Sequence, residues 1–261
     1  MPGDALVSLT VEDRIAVVRL ERPEAMNAIS GDLADELAEV CWRVSHDNEI
    51  WVMVLTGAGE RAFCVGADLK ERATFEIYDF YQNREQVRAM FSSLRKVPQP
   101  TVAAVFGFAL GGGFELALSC DLIVAAQGTE FGLPETRVGL IPAGGGTQLL
   151  TRKIGVARTK ELIFRGKRFD ATHAWELGLV ADIAPPEDLM SYAMDVARDI
   201  CRSSPVAVRQ AKHAIEAALG LPLEDGLNVE NDAWRIVVNT EDRAEGIRAF
   251  NEKRDPNWQN R

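Results

Sequence analysis

The chain has 261 residues, of which 47% are hydrophobic, so it can bury a large core without disulfides or a structural metal. Its formal net charge of -10 argues against a general nucleic-acid binder, which needs a basic surface stripe. No run approaches the roughly 20 apolar residues of a membrane span, so none is expected.

Cysteine spacing and the first residues bear on the compartment. The four cysteines form no CxxC pair, and their apolar neighbours predict buried free thiols, as in a reducing compartment. Residues 1–4 do not form a basic region followed by an apolar run, so no secretory signal is expected. We therefore expect a cytoplasmic protein, or a mitochondrial matrix protein if the chain is a processed eukaryotic one.

Up to about residue 185, β-rich runs alternate with helical patterns. Two runs around the turn-like residues 12–14 predict a β-hairpin. Helical spacing of apolar residues begins near Ser30, which can cap that helix, and a long second helix stops before Pro98. Strands separated by helices favour an α/β core with parallel pairing. The predicted strands are 6–10, 15–20, 51–55, 101–105 and 122–126, and the long helix is 76–96.

The remaining chain has a different pattern. Four amphipathic stretches predict helices at 186–203, 205–219, 223–238 and 241–253. We therefore expect an α/β core over residues 1–185, which holds the site, and a helical region over 186–261. Residues 254–261 are expected to form a loose tail.

Several common site motifs are missing from the sequence. The three glycines at 111–113 do not complete GxGxxG, and no GxxxxGK[ST] phosphate loop, HExxH or GxSxG is present. His46, His173 and His213 are far apart in sequence, so surface or core histidines are a better explanation than a metal cluster. No metal site is expected.

Two segments remain as candidates for a site, 62–71 and 107–116, and each follows a predicted strand. Consecutive glycines that lead into a helix leave main-chain N–H groups open to a ligand oxygen. A tight packing turn between strand and helix is the alternative explanation. Lys70, Arg72 and Lys96 are candidate cations for an anionic ligand, although each is also typical of a solvated surface charge.

The motifs GADLKE, ALGGGFELA-SCD and FGLPE-(x)3-G-(x)-IP-(x)-GGGTQ occur here in a fixed order and spacing. As a set they resemble the enoyl-CoA hydratase/isomerase (crotonase) superfamily, and the likeness extends from residue 22 to residue 254. It is closest to enoyl-CoA hydratases and to methylglutaconyl-CoA hydratase-like members, the latter through residues 63–73 and 159–164. The resemblance implies an α/β fold, a crotonase-like spiral of repeated ββα units with a helical C-terminal region.

The resemblance also implies roles for four residues. The thioester oxygen would be held by the main-chain N–H groups of Ala67 and Gly112, as an oxyanion hole. The catalytic carboxylates would be Glu115, three residues after Gly112, and Glu135, twenty residues later. Hydration needs a base that activates water and an acid that protonates the α-carbon, and two carboxylates with different pKa values can serve both needs.

Which glutamate is the acid stays open at this stage. Outside the motif set, Glu115 is also explained as a first-turn carboxylate stabilised by the helix dipole, and Glu135 as an exposed loop charge.

Contacts with the coenzyme A thioester are implied as well. The residues concerned are Met26, Ala28, Ala67, Asp68, Leu69, Lys70 and Gly112, with Lys70 as a partner for a phosphate. Helical regions of related enzymes contribute to a neighbouring subunit's site, so a homotrimer or a homohexamer of two trimers is expected. Phe250 and Lys253 would then close a site across the interface, although ordinary helix packing explains them almost as well. Val65 and Phe114 are bulky for their positions and are expected to reshape the acyl cavity.

The sequence thus predicts a hydratase that adds water syn across the 2,3 double bond of an enoyl-CoA to give a 3-hydroxyacyl-CoA. No metal or redox cofactor is expected, since coenzyme A is part of the substrate. The alternatives are a Δ3–Δ2 enoyl-CoA isomerase, a methylglutaconyl-CoA hydratase, and an RNA-binding or scaffold protein on the same fold. Two carboxylates favour hydration over isomerisation, and the negative net charge of the chain argues against nucleic acid as a partner. No membrane partner is expected.

Overall fold

The computed structural model describes residues 5–261, so the expectation about a secretory signal, which rests on residues 1–4, lies outside it. The described chain is a mixed α/β structure, as the sequence predicted. Its strands are β1 Val7–Glu12, β2 Ile15–Leu20, β3 Val52–Gly57, β4 Ala62–Cys64, β5 Thr101–Val105, β6 Phe108–Leu110, β7 Leu122–Ala126, β8 Glu130–Gly132, β9 Phe169–Asp170 and β10 Asp182–Ala184.

The helices account for most of the remaining ordered chain. They are α1 Gly31–His46, α2 Leu69–Arg72, α3 Ile77–Arg95, α4 Gly112–Ser119, α5 Gly146–Ile154, α6 Val156–Arg165, α7 Ala171–Glu176, α8 Leu189–Cys201, α9 Pro205–Ala217, α10 Leu223–Val238 and α11 Glu241–Glu252. The hydroxyl of Ser30 accepts a hydrogen bond from the N–H of Leu33 and caps α1, as predicted. Among residues 5–261, none of these helices has both the length and the apolar character required to cross a bilayer.

The strands form two sheets, and from β3 to β8 successive strands along the chain alternate between them. The larger sheet runs β1-β2-β3-β5-β7-β10 and is parallel apart from the predicted β1–β2 hairpin. The smaller sheet runs β4-β6-β8-β9, and its first three strands are parallel. Each of β3, β5 and β7 is followed by a strand of the smaller sheet and then by helix, so the expected ββα units are present.

The larger sheet is covered on both faces. On one face Val52 and Val54 pack with residues of α8, whereas Met53 and Leu55 face the main core together with α1. This alternation is the two-residue period of a strand. Both faces of the sheet are therefore shielded from solvent. This explains why the sequences of β3, β5 and most of β7 are continuous apolar runs.

The cysteines are free thiols. Cys41, Cys64 and Cys120 are buried, as predicted, but Cys201 is half-buried near the end of α8. Burial raises the pKa of Cys41 and of Cys64 to about 12, so neither is a reactive thiolate at neutral pH.

One mostly buried lysine on α9 connects the C-terminal helices to the core. The Lys212 ammonium donates to the carbonyl oxygens of Val97 (2.9 Å) and Gln99 (3.0 Å) and to Oδ2 of Asp121 (2.7 Å). Three oxygens thus satisfy the three protons of one ammonium group. The division at residue 185 into core and oligomerisation region stays a prediction, because α8, which lies beyond it, covers one face of the larger sheet.

The expectation of a loose C-terminal tail is wrong. The indole of Trp258 donates to the carbonyl oxygen of Arg202 at 2.8 Å, and the N–H groups of Gln259 and Asn260 donate to Oδ1 of Asp242 at 2.7 and 3.2 Å. Asp242 is fully buried, so these bonds compensate a carboxylate that would otherwise be desolvated without partners. Such contacts between distant polar residues leave no periodic signal in the sequence.

Candidate active site

Three adjacent parallel strands of the smaller sheet bring the candidate residues together. Ala67 follows β4, Gly112 follows β6, and Glu135 follows β8. Because parallel strands end at the same edge of a sheet, these three segments meet there, which is where α/β proteins commonly bind ligands. The strand order therefore explains how residues almost 70 positions apart share one site.

Two main-chain amides lie beside each other at this edge. Gly66 and Gly111 have φ angles of +89° and +54°, in the left-handed region that favours glycine, and each precedes one of the amides. A Cβ at Gly66 would lie 2.9 Å from the nitrogen of Gly112, and a Cβ at Gly112 would lie 3.8 Å from the nitrogen of Ala67. Within residues 5–261, neither N–H has a hydrogen-bond acceptor, so both are available to a ligand.

Glu115 lies in the first turn of α4 and is held by the main chain. Its Oε1 accepts hydrogen bonds from the N–H groups of Gly144 (2.8 Å) and Gly146 (2.7 Å), and the residue is only 3% exposed. Burial raises the pKa of this carboxyl, while the amides of residues 144–146 oppose the shift by stabilising the ionised form. The carboxylate is fixed in place by donors that cannot rotate away.

Glu135 begins a short 3₁₀ helix, Glu135–Val138, directly after Pro134. Its Oε2 is buried and has no partner among the described residues, and a Cβ on Gly111 would lie 3.1 Å from its Oε1. Burial, together with the negative charge of Glu115, raises the pKa of Glu135 to about 7. This carboxyl oxygen is therefore available to form a hydrogen bond with a ligand or a water molecule.

Both carboxylates and both amides border one cavity of about 370 Å³. Its other walls are mainly apolar, and the side chains concerned are Ile29, Val65, Val87, Phe91, Leu140 and Ile141. The arrangement combines an apolar channel, two free main-chain donors and two acids with raised pKa values. It is suited to polarising a carbonyl group and to moving a proton beside it.

A sequence model described as enoyl-CoA hydratase/isomerase matches residues 10–261. The chain belongs to the enoyl-CoA hydratase/isomerase family. Its relatives include the Bacillus subtilis protein YngF, which is named as an enoyl-CoA hydratase/isomerase and is 42% identical over 97% of each chain. The short-chain-enoyl-CoA hydratase of Clostridium acetobutylicum is 37% identical over 95% of each.

Solved structures agree with this membership of the enoyl-CoA hydratase/isomerase family. The crystal structure of an enoyl-CoA hydratase from Bacillus anthracis superposes with a TM-score of 0.96 at 40% identity, covering 98% of this chain and all of that one. One from Mycobacterium tuberculosis gives a TM-score of 0.90 at 34% identity, covering 98% and 99%. The expected crotonase-like fold is therefore confirmed.

Only some of the substrate contacts that the family resemblance implied border the cavity. Ala67, Leu69 and Gly112 line it, whereas Met26, Ala28, Asp68 and Lys70 do not. The carboxylate of Asp68 caps α2 by accepting from the N–H groups of residues 70 and 71, and it forms an ion pair with Arg22 at 3.0 Å. The Lys70 side chain is exposed. Contacts of these four residues with coenzyme A stay a prediction.

Two of the remaining sequence expectations have different outcomes. Val65 lines the cavity, as expected of a residue that shapes the acyl site. Phe114 does not: its side chain is fully buried and packs against Phe131 and Phe169, so the expectation for this residue is wrong. The helical position explains the difference, because Phe114 and Glu115 point about 100° apart around α4 and only one of them can face the cavity.

Of the three candidate cations, Arg72 lines the cavity, whereas Lys70 does not and Lys96 is exposed at the end of α3. Sequence reasoning missed the role of residues 144–146, which hold Glu115, although the glycine run of the GGGTQ motif was a usable signal. It also missed Arg84 of α3. Within the described residues, no group of three or more His, Cys, Asp or Glu side chains is arranged to hold a metal ion.

Proposed function

We propose that this protein is an enoyl-CoA hydratase, a hydro-lyase that adds water to the 2,3 double bond of an enoyl-CoA thioester. One observation carries the proposal: two main-chain amides that have no acceptor among residues 5–261 and two carboxyls with raised pKa values border the same, mainly apolar cavity. The family and the names of the relatives support the same reaction. They do not favour the isomerase, methylglutaconyl-CoA hydratase or RNA-binding alternatives.

The amides of Ala67 and Gly112 would bind the thioester oxygen. Negative charge grows on that oxygen as water adds to the β-carbon, and donors that are already aimed at it need no reorganisation. Removing one such donor typically costs about 10²–10³ in rate. The side chains at these two positions need only be small, because the donors belong to the main chain.

The two glutamates would divide the proton transfers. Glu115, whose ionised form is stabilised by the amides of residues 144–146, would accept a proton from the attacking water. Glu135, with a pKa of about 7, is protonated in a large fraction of molecules at neutral pH and would deliver a proton to the α-carbon. One water molecule held between them supplies the hydroxyl group, and the product is a 3-hydroxyacyl-CoA. Both transfers then occur on one face of the double bond, so the addition is syn.

The test uses the purified protein with crotonyl-CoA in deuterated water. We expect loss of the absorbance of the conjugated thioester and a 3-hydroxybutyryl-CoA that carries deuterium at C2, syn to the new hydroxyl group. A 3-enoyl-CoA substrate run in parallel separates hydration from isomerisation. No loss of absorbance with crotonyl-CoA or with any other 2-enoyl-CoA, or isomerisation without hydration, would overturn the proposal.

We also propose that the protein assembles as a homotrimer or a homohexamer and lies in the cytoplasm. The assembly is supported by a groove between α9 and α10 whose walls are mostly apolar, with Ile215 and Trp234 more than half exposed. Such a surface on a single chain is typical of an interface. Phe250 is 84% exposed, which supports a role in contact with a neighbouring subunit. Light scattering at several protein concentrations tests this assembly.

A further inference from the structure

One face of α3 forms a wall of the active-site cavity, with apolar side chains at both ends and polar side chains between them. The side chains that line it are Phe80, Asn83, Arg84, Val87 and Phe91, which recur at helical spacing. Phe91 marks the catalytic end, because a Cβ on Gly144 would contact both the Phe91 ring and Oε2 of Glu115. Arg84 precedes Phe91 by seven residues, which corresponds to about 10 Å along the helix axis.

A second arginine reaches the same wall from α2. Nη2 of Arg72 donates to Oδ1 of Asn83 at 3.1 Å, and Asn83 is only 4% exposed, so the Arg72 guanidinium is fixed at the cavity. Glu71 is close to Arg72, but it does not line the cavity, and its Oε1 accepts from the N–H of Gly31 at 3.2 Å. The Arg72 guanidinium therefore borders the cavity, whereas the Glu71 carboxylate, which offsets part of its charge, lies outside the lining.

Arg84 forms neither an ion pair nor a hydrogen bond with any group in residues 5–261, yet it lines a cavity whose walls are mainly apolar. Its charge acts on both Arg72 and Glu115. The third arginine at the cavity, Arg137, differs: its Nε and Nη2 donate to the carbonyl oxygen of Arg165 at 3.1 and 2.8 Å. Arg84 and Arg72 are thus two like charges on one wall, and an anion between them would relieve their repulsion.

We propose that Arg84, assisted by Arg72, binds a carboxylate at the far end of the acyl group, so that the preferred substrates are 2-enoyl-CoA thioesters with a terminal carboxylate. This inference rests on the proposed hydratase function and adds the substrate class. The acyl group is the part of the substrate concerned, because its α- and β-carbons must lie at the two glutamates. From the two glutamates, the cavity wall formed by α3 extends past Val87 to Arg84. A carboxylate matches the fork of a guanidinium group and forms charge-assisted hydrogen bonds with it.

The experiment compares two substrate types on the full-length protein. Five- and six-carbon 2-enoyl-CoA thioesters with a terminal carboxylate are measured beside neutral 2-enoyl-CoA thioesters of matched length, and the selectivity ratio is kcat/KM for the charged over the neutral substrate. The variants are Arg84→Met, which keeps the length of the side chain, and Arg84→Glu, which reverses its charge. The control is Arg88→Met, one turn along α3, where the arginine is exposed and ion-paired with Glu85.

We expect the selectivity ratio to fall roughly tenfold to a hundredfold in Arg84→Met, the size expected for one charge-assisted hydrogen bond. It should fall further in Arg84→Glu and stay unchanged in Arg88→Met. An unchanged ratio in both Arg84 variants would overturn the inference, as would equal losses for both substrate types, which would indicate a coenzyme A contact or a structural role. A parent enzyme that hydrates neutral substrates but rejects the charged ones would overturn it too. Failure of the parent with every substrate would instead contradict the hydratase function.

Discussion

Glu115 and Gly144 are joined by a hydrogen bond from the main chain: the N–H of Gly144 donates to Oε1 of the carboxylate at 2.8 Å. The carbonyl oxygen of the same glycine accepts from Nη1 of Arg95 at 3.0 Å. The segment that fixes the carboxylate is thus itself held by a cation on α3. The charges of Arg95 and Glu115 also interact, which links the protonation of the carboxyl to this arginine.

Arg95 is therefore expected to be a positioning residue. In Arg95→Met the Gly144 segment loses its anchor and Glu115 loses a nearby positive charge, so the pKa of Glu115 should rise. With Glu115 as the proposed base, the acidic limb of the kcat/KM profile should move to higher pH, and kcat at neutral pH should fall about tenfold. The measurement is a pH–rate profile with crotonyl-CoA. Arg88→Met is the control, and a purely structural role would lower the rate without moving the limb.

The access of a substrate oxygen to the N–H of Gly112 should depend on the absence of a side chain at Gly66, which lies opposite it. Replacing Gly66 with alanine puts a residue at φ +89° and brings its Cβ to within 2.9 Å of the nitrogen of Gly112. We expect kcat to fall by about 10²–10³ as the donor is displaced or blocked. Gly178→Ala, also at a positive φ (+73°) but with no described atom within 4 Å of the added Cβ, is the control. A Gly66→Ala protein with an unchanged circular dichroism spectrum and nearly full activity would refute the role of this amide.

The raised pKa of Glu135 should make the free energy of unfolding decrease as the pH rises. Its folded-state pKa of about 7 lies above the ordinary value of 4.5, so the folded state binds more protons than the unfolded state between these values. The free energy of unfolding should therefore fall as the pH rises from about 4.5 to 7 and then level off. In Glu135→Gln this fall should be smaller by about 1–2 kcal/mol, allowing for partial exposure. Urea unfolding at pH 5 and pH 8 measures the difference, and parallel curves for parent and variant would contradict it.

Lys212 should stabilise the attachment of α9 to the core. Its ammonium is mostly buried, and its three oxygen partners all lie in the core. Lys212→Met leaves Asp121 without its cation, so we expect a loss of about 2–4 kcal/mol in the free energy of unfolding. Lys160→Met on the exposed surface of α6 should change it by less than about 0.5 kcal/mol. Denaturant titration of both variants measures this, and equal midpoints would show that α9 is held by apolar contacts alone.

The sequence predicted the elements that have a strong local pattern. Strands 15–20, 101–105 and 122–126 occur as expected because each is a short β-rich apolar run, and the helix capped by Ser30 occurs because its apolar residues repeat with the helical period over several turns. The smaller sheet was missed. Its strands have two or three residues each, which is too short for any period, and they are defined by pairing with segments that are distant in sequence.

The candidate site was predicted through its motifs rather than through its geometry. Four of the implied residues, Ala67, Gly112, Glu115 and Glu135, lie around one cavity. The packing of Phe114 and the hydrogen bonds of the C-terminal tail were not predictable, since both depend on which distant surfaces meet. Arg84 was missed because a single arginine on an amphipathic helix is ordinarily a solvated charge, and only the cavity shows what it faces.

The most direct test of the central claim is the hydration rate of crotonyl-CoA in Glu115→Gln and Glu135→Gln, with the affinity for saturated butyryl-CoA measured on the same samples. Glutamine keeps the shape of each side chain but can neither accept nor deliver the proton. We expect each variant to lose turnover by a factor on the order of 10² or more, with butyryl-CoA affinity nearly unchanged. Near-normal turnover in either variant would contradict the assigned role of that glutamate, and near-normal turnover in both would contradict the mechanism as a whole.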